Sequence, residues 1–211
     1  MRRTHDADIT REMLLRAATT AFAEHGFAGA RVDDIAARAG VNKALIYAYY
    51  GDKEGLYRAV LSSRLAAPIP SLALGAEADA RKALEDLVRR HFRLLLEDRA
   101  FARLLAWDLL STGARGPDAL VESAGPALDL VGELVRRTCA IGALRPSVDP
   151  DLFRTAVVAL ALGYSLQHPA MEAVRARSGA RFTDAEFVEY ACGLLLDDHG
   201  RGGGSASDRA R

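Results

Sequence analysis

The sequence predicts an all-α fold, and three observations lead there. Apolar residues recur at three- and four-residue spacing through the long segments, runs of β-branched residues are few, and only seven prolines occur. With 211 residues and 50% apolar content, the chain can bury a real core as one large domain or two modest ones.

Residues 1–8 hold Arg2, Arg3 and His5 without an apolar period and read as a flexible arm. From Thr10 to His25, Met13, Leu14, Ala17, Ala18, Ala21 and Phe22 form a helical stripe, with Asp8 or Thr10 as candidate caps. Gly26 ends that helix, and Phe27 can fold back on Phe22. In Asp33–Ala39, the inward residues are Ile35, Ala36 and Ala39. Gly40 supplies a left-handed turn, Val41 plugs it, and Asn42 can cap the next helix by accepting from Ala44 or Leu45 N–H. Over Lys43–Tyr50, Ile46 and Tyr50 point inward, leaving Lys43, Leu45, Tyr47 and Tyr49 on or near the other side. Helix, short turn with glycine, helix is the helix-turn-helix arrangement, whose second helix enters the DNA major groove. Asp52 can cap a third helix, and Lys53 stands at its first turn, an end that favours a phosphate.

The stretch AFAEHGFAGARVDDIAARAGVNKALIYAYYGDKEGLYRAV resembles the N-terminal DNA-binding domain of the TetR family of bacterial transcriptional regulators. The resemblance covers roughly residues 8–61 and rests on Phe22, Gly26-Phe27, Ile35-Ala36, Gly40-Val41, Ile46-Tyr47, Tyr49-Tyr50, Lys53-Glu54 and Leu56 in register. It implies a helix-turn-helix domain over residues 9–51, a linking helix over 52–67 and a ligand-binding and dimerisation domain over 77–198. It also implies that Arg31, Lys43, Leu45, Tyr47, Tyr49 and Lys53 contact an operator. Arg31 stands where the family commonly has a small hydroxyl cap, Leu45 where Thr is common, and Ala48 where an aromatic residue or His is frequent. These departures leave the operator sequence open.

Beyond Pro68–Asp79, helical stripes run through Ala80–Glu97, Phe101–Leu110 and Asp118–Ile141, with loops at Gly113–Pro117 and Gly142–Pro150. The phrase FARLLAWDLL is similar to the regulatory part of some TetR-family members. Asp149-Pro150 opens the helix Asp151–Ala176, whose apolar residues leave almost no polar side before Gln167, so it is expected to be buried nearly all round. Pro169 is expected to bend or interrupt it. Thr183 and Glu186 form a capping box for the last helix. A second copy of the chain is the simplest cover for these two helices, and the resemblance implies a homodimer through a four-helix interface; Phe153, Val157, Leu160, Phe187, Tyr190 and Leu194 are its expected contacts. Residues 199–211 read as a disordered tail.

The formal net charge is zero, but residues 1–64 hold 10 Lys/Arg and 8 Asp/Glu, so DNA binding would rely on a few placed contacts and two copies. Cys139 and Cys192 lie in apolar helical patterns without metal spacing and read as buried free thiols. No secretory signal or apolar run of spanning length occurs, so a cytoplasmic protein with no membrane contact is expected. His91, Trp107, Tyr164, Gln167, His168 and Met171 are the polar-tipped or adaptable residues of the later helices and could line an apolar cavity for a small-molecule effector. No catalytic constellation, metal site or cofactor motif is present in the pattern. Three readings stay open: a ligand-responsive repressor on double-stranded DNA, a DNA-binding regulator answering to a protein partner, and a helical enzyme or sequestration protein without operator binding.

Overall fold

The computed structural model describes residues 2–65, 78–110, 116–179 and 182–196, and within them the chain forms nine helices and no strand. They are α1 (Arg2–Gly29), α2 (Val32–Ala39), α3 (Ala44–Tyr50), α4 (Lys53–Leu65), α5 (Ala78–Glu97), α6 (Arg99–Leu110), α7 (Gly116–Ala140), α8 (Pro150–Ser178) and α9 (Asp184–Leu196).

Helix α1 is the scaffold of the first half. Its buried stripe of Leu14, Ala18, Ala21 and Phe22 meets Ile35 of α2, Ile46 of α3 and Tyr57 of α4 in one core. Phe22 and Tyr57 meet edge to face with centroids 4.9 Å apart, and Phe27 folds back within 6.1 Å of Phe22. Two expectations for this region are corrected. The expected arm is helical from Arg2, so neither Asp8 nor Thr10 caps a helix start; Asp8 instead pairs with Arg11 one turn on, at 3.1 Å. Helical backbone also resumes after Gly26, which breaks α1 at φ 66, ψ 175 and lets a last turn run to Gly29.

In the second half, α5, α6, α7 and α8 pack round a core that includes Leu84, Phe92, Leu104, Leu134 and Val157. Asp149 caps α8 by accepting from Asp151 and Leu152 N–H, and the Thr183–Glu186 box opens α9. The helix continues through Pro169, held from outside on both sides of it: Ser165 Oγ donates to Leu95 O at 2.6 Å and His168 bonds Asp184 before the proline, and Arg175 donates to Phe182 O at 3.1 Å after it. Nor is α8 buried all round in the single chain, since Leu152, Leu166 and Val174 are exposed. The loop expected at 68–79 and the tail at 199–211 fall mainly or wholly outside the described residues.

The two halves meet along α1, α4 and α6. The Trp107 indole N–H of α6 donates to Ala23 O of α1 at 3.2 Å, and its ring covers Gly26. A Cβ on Gly26 would come within 3.2 Å of that ring, and the backbone there lies in a region open essentially to glycine alone. Gly26→Ala is therefore expected to cost about 1–3 kcal/mol from the backbone and more from Trp107. Gly40→Ala, with φ 68, ψ 29 and nothing within 4 Å of the added carbon, loses about 1 kcal/mol. Urea unfolding of both variants checks the difference; equal losses would show that Trp107 does not press on this turn.

Candidate nucleic-acid interface and apolar cavity

The α2–α3 unit is built by local bonds. Gly40 takes the left-handed conformation and its N–H reaches Ala36 and Ala37 O, while Val41 N–H closes on Ala36 O at 3.1 Å. Asn42 Oδ1 then accepts from Ala44 N–H at 2.8 Å and starts α3. Ile46 is fully buried and Tyr50 half-buried, its hydroxyl donating to Arg11 O at 3.4 Å. The opposite side presents Tyr47 openly and Leu45 in part. Lys43 is exposed and paired with Asp33 at 2.9 Å; its hydrogen bond and charge hold the Asp33 carboxyl below the usual carboxylate range. Tyr49 is half-buried, with the Arg11 guanidinium 4.9 Å from its ring centre, so it leans on α1 rather than standing free. The Lys53 ammonium sits 4.8 Å from the Phe27 ring centre, donates to Ala28 O at 3.4 Å, and is lowered in pKa by burial. Arg31 is exposed before α2, its side chain making no capping bond.

A cavity of 270 Å³ opens in the second half between α4, α5, α6, α7 and α8. Its wall is almost wholly aliphatic, with Leu87, Leu105, Leu128 and Val157 among the lining, and the last turn of α4 contributes Arg64 and Leu65. Arg64 is itself held by Asp98 at 2.9 Å, whose other oxygen caps α6 at Phe101 N–H. His91 faces this wall with its Nε2 buried and without a hydrogen-bond partner. Burial pushes its pKa down to about 4.

Residues 14–60 match the model described as bacterial regulatory proteins, tetR family, and residues 81–186 match the tetracyclin repressor-like C-terminal domain. The chain belongs to the tetR family of bacterial regulatory proteins. It is 31% identical over 151 residues to the transcriptional repressor NicS of Pseudomonas putida, covering 69% of this chain and 71% of NicS. Over 108 residues it is 37% identical to the transcriptional repressor SCO4008 of Streptomyces coelicolor, a match spanning 51% of this chain and 54% of that repressor. In fold it is similar to the fatty acid degradation regulator FadR of Bacillus halodurans, with a TM-score of 0.71 at 23% identity over 92% of this chain and 99% of that one.

Within this tetR-family chain, only His91 of the six expected cavity residues lines the cavity. Trp107 lies on the outer side of α6, 44% exposed, where it braces α1. Tyr164 and His168 turn instead to Asp184 at the start of α9. The Tyr164 hydroxyl donates to Asp184 at 2.7 Å and accepts from Arg175 at 2.6 Å. Arg99 donates to His168 Nδ1 at 3.0 Å, which leaves Nε2–H to donate to Asp184 at 3.0 Å. Gln167 is exposed and Met171 half-buried, both away from the cavity.

Two expected dimer contacts are also corrected. Phe153 and Val157 are 4% and 7% exposed and face the protomer's own cavity, because their stripe of α8 packs on α5 and α7. Leu160 is half-buried against the core, and Phe187 stacks on Tyr164 at 3.7 Å. Tyr190 and Leu194 are 70% and 48% exposed on α9.

Sequence reasoning missed Asp108, buried in α6 and facing Tyr57 of α4; burial raises the pKa of both. The signal was available as an acid inside the apolar run LLAWDLL.

The low His91 pKa fixes a pH dependence. The unfolded chain takes up this proton near pH 6.5 and the folded chain near 4, so stability is full above 6.5 and falls as pH drops toward 4. Each unit is about 1.4 kcal/mol, so the wild type is expected to lose about 3 kcal/mol more than His91→Leu between pH 7 and pH 4. Urea titrations across that range measure it; parallel curves would show that the imidazole is not desolvated.

Proposed function

We propose that the chain is a non-catalytic, ligand-responsive repressor that binds a two-fold DNA operator as a homodimer and leaves it when the cavity is filled. The observation that supports this reading best is the placement of α4. Its first turn abuts the α1–α3 unit through Lys53, and its last turn supplies Arg64 and Leu65 to the cavity wall. Thirteen residues of helix span about 20 Å, so a change at the cavity moves the far end as a lever. A small molecule is favoured over a protein partner as the signal because a concave, almost wholly aliphatic cavity between helices is the usual form of a small-molecule site.

In this reading, Leu45 and Tyr47 face base edges, Tyr49 supports them, and Lys43, Lys53 and Arg31 position the domain on phosphates. A single recognition helix reads few base pairs, so two copies about 34–36 Å apart are required, and the exposed α9 residues Tyr190 and Leu194 with neighbouring α8 are the surface that joins them. A ligand that releases the operator must bind the DNA-incompetent state better, and the operator must weaken the ligand by the same factor.

Lys53→Ala is expected to weaken binding to operator and random DNA alike and to flatten the salt dependence by about one unit. Leu45→Ala loses mainly discrimination, as when an apolar side chain covers a thymine methyl. Retardation assays on the fragment upstream of the chain's own gene, against random DNA, test both; equal losses on the two DNAs for both variants would reject these roles.

Leu194→Asp is expected to leave the protomer folded, since Leu194 is half-exposed, while placing a charge in the dimer seam. Sedimentation at micromolar concentration should find a wild-type dimer and a variant monomer. A monomeric wild type, or a variant still dimeric at nanomolar concentration, would remove this face from the interface.

A further inference from the structure

We propose that the first half of α7 is a strap across the cavity that swings on Gly125–Pro126 and carries the end of α4 with it. The inference rests on the reading of the cavity as the effector site and names the moving part through which filling it reaches α4.

The two halves of α7 are held differently. In the second half Leu134, Val135 and Thr138 are fully buried, and the Thr138 carbonyl accepts from Ala143 and Leu144 N–H at 3.0 and 3.2 Å. That half belongs to the core. Between Ala119 and Gly132, both buried, none of the intervening residues is buried. The apolar positions Leu120, Val121, Ala124, Ala127, Leu128 and Val131 recur at helical spacing, and the face they form lines the cavity. An apolar stripe that looks onto open space rather than onto other side chains gains little from packing, so this stretch has little to resist local motion.

The helix is also weakest in the middle of that stretch. Pro126 lacks the N–H that would bond the Glu122 carbonyl, and a proline ring inside a helix crowds that same carbonyl. Gly125 beside it has the poorest helix propensity after proline. Packing asks for neither residue: Pro126 is exposed, and a carbon added at Gly125 would meet nothing within 4 Å. The pair makes a soft joint with cavity wall on both sides of it, Ala124 before and Ala127 after.

What lies before the joint is fastened to α4, the helix against which α7 packs most extensively. Ser62 Oγ donates to Ser123 Oγ at 3.4 Å, and Arg58 Nε lies 3.6 Å from Glu122 Oε2. A strap pressed from beneath therefore turns on Gly125–Pro126 and draws the turns of α4 that carry Arg58 and Ser62. The anchored half of α7 stays with the core.

Distances between paired nitroxide labels test the joint and its attachment in the full chain. One label sits at Arg93→Cys of α5, and the second at Val121→Cys on the strap, at Ser63→Cys on α4, or at Arg136→Cys in the anchored half of α7. Cys139→Ser removes the half-buried native thiol, and excess unlabelled chain keeps each pair within one protomer. Pulsed electron resonance is expected to give broad distributions for the strap and α4 pairs and a narrow one for Arg136. Pro126→Ala restores the missing helix bond and should narrow the strap and α4 distributions together, by about twofold, while leaving Arg136 unchanged. Gly125→Ala, which has room for its methyl, should act in the same direction to a smaller extent. Strap distributions of unchanged width in both variants would overturn the joint. A strap that narrows while the α4 pair keeps its width would overturn the attachment, and equal narrowing of the Arg136 pair would show general stiffening instead of a joint. These measurements contain neither ligand nor DNA, so a failure of the effector-site reading, seen as operator binding indifferent to every compound tried, is distinct from a failure of the strap.

Discussion

Helix α4 packs into both halves of one continuous core, and the rest of the structure depends on that constraint. Leu56, Tyr57, Val60 and Leu61 are all buried, the first two against α1 and α3 and the later turns toward α7. A helix so enclosed cannot slide relative to one half without repacking the other, because close-packed interiors deform in discrete steps rather than continuously. The polar junctions repeat the constraint. Arg64 at its end is locked to Asp98, which caps α6, so the cavity wall, the end of α4 and the start of α6 share one charged contact.

The charge balance of the DNA-facing half takes its meaning from where the charges are spent. Lys43 is paired with Asp33, Arg38 with Glu24, and Arg58 with Glu54, all at or near the surface, where such pairs contribute little to stability and can be exchanged for phosphate contacts. A nearly neutral domain can therefore hold DNA without a basic patch, provided a few cations change partner on binding. On the proposed reading, the face that discriminates between sequences is apolar and phenolic, Leu45 and Tyr47, which suits methyl contacts and edge hydrogen bonds rather than field strength.

What was legible in the sequence follows the range of the forces involved. The α2–α3 unit, the Asn42, Asp52 and Asp149 caps and the Thr183–Glu186 box rest on bonds between residues two to five apart, so their spacing announces them. The cavity does not, because periodicity shows which face of a helix is covered but not whether another side chain or empty space covers it. Tyr164 and His168 have the right chemistry for a ligand site, yet Asp184, sixteen residues beyond His168, claims both. Phe153 and Val157 read as spare apolar surface on an over-hydrophobic helix, when that surface faces a void inside the same protomer. The hydropathy of α8 was real; the choice between partner chain and internal cavity was a tertiary matter.

Helix α6 brings these threads to one turn. Leu105 and Leu109 stand four apart and line the cavity, Trp107 lies on the other side against Gly26 and Ala23 of α1, and Asp108 faces Tyr57 of α4. Any ligand that pushes Leu105 outward must move a helix whose opposite side is in contact with both DNA-domain struts. Trp107 has little room to sink into α1, since a single carbon added at Gly26 would already lie 3.2 Å from its ring. The response left to α6 is to carry α1 and α4 with it, and those two helices hold α3 in place through Ile46 and Tyr50. On the proposed reading, filling a space on one side of α6 is thereby linked to the angle of the recognition helix through packed side chains of α6, α1 and α4.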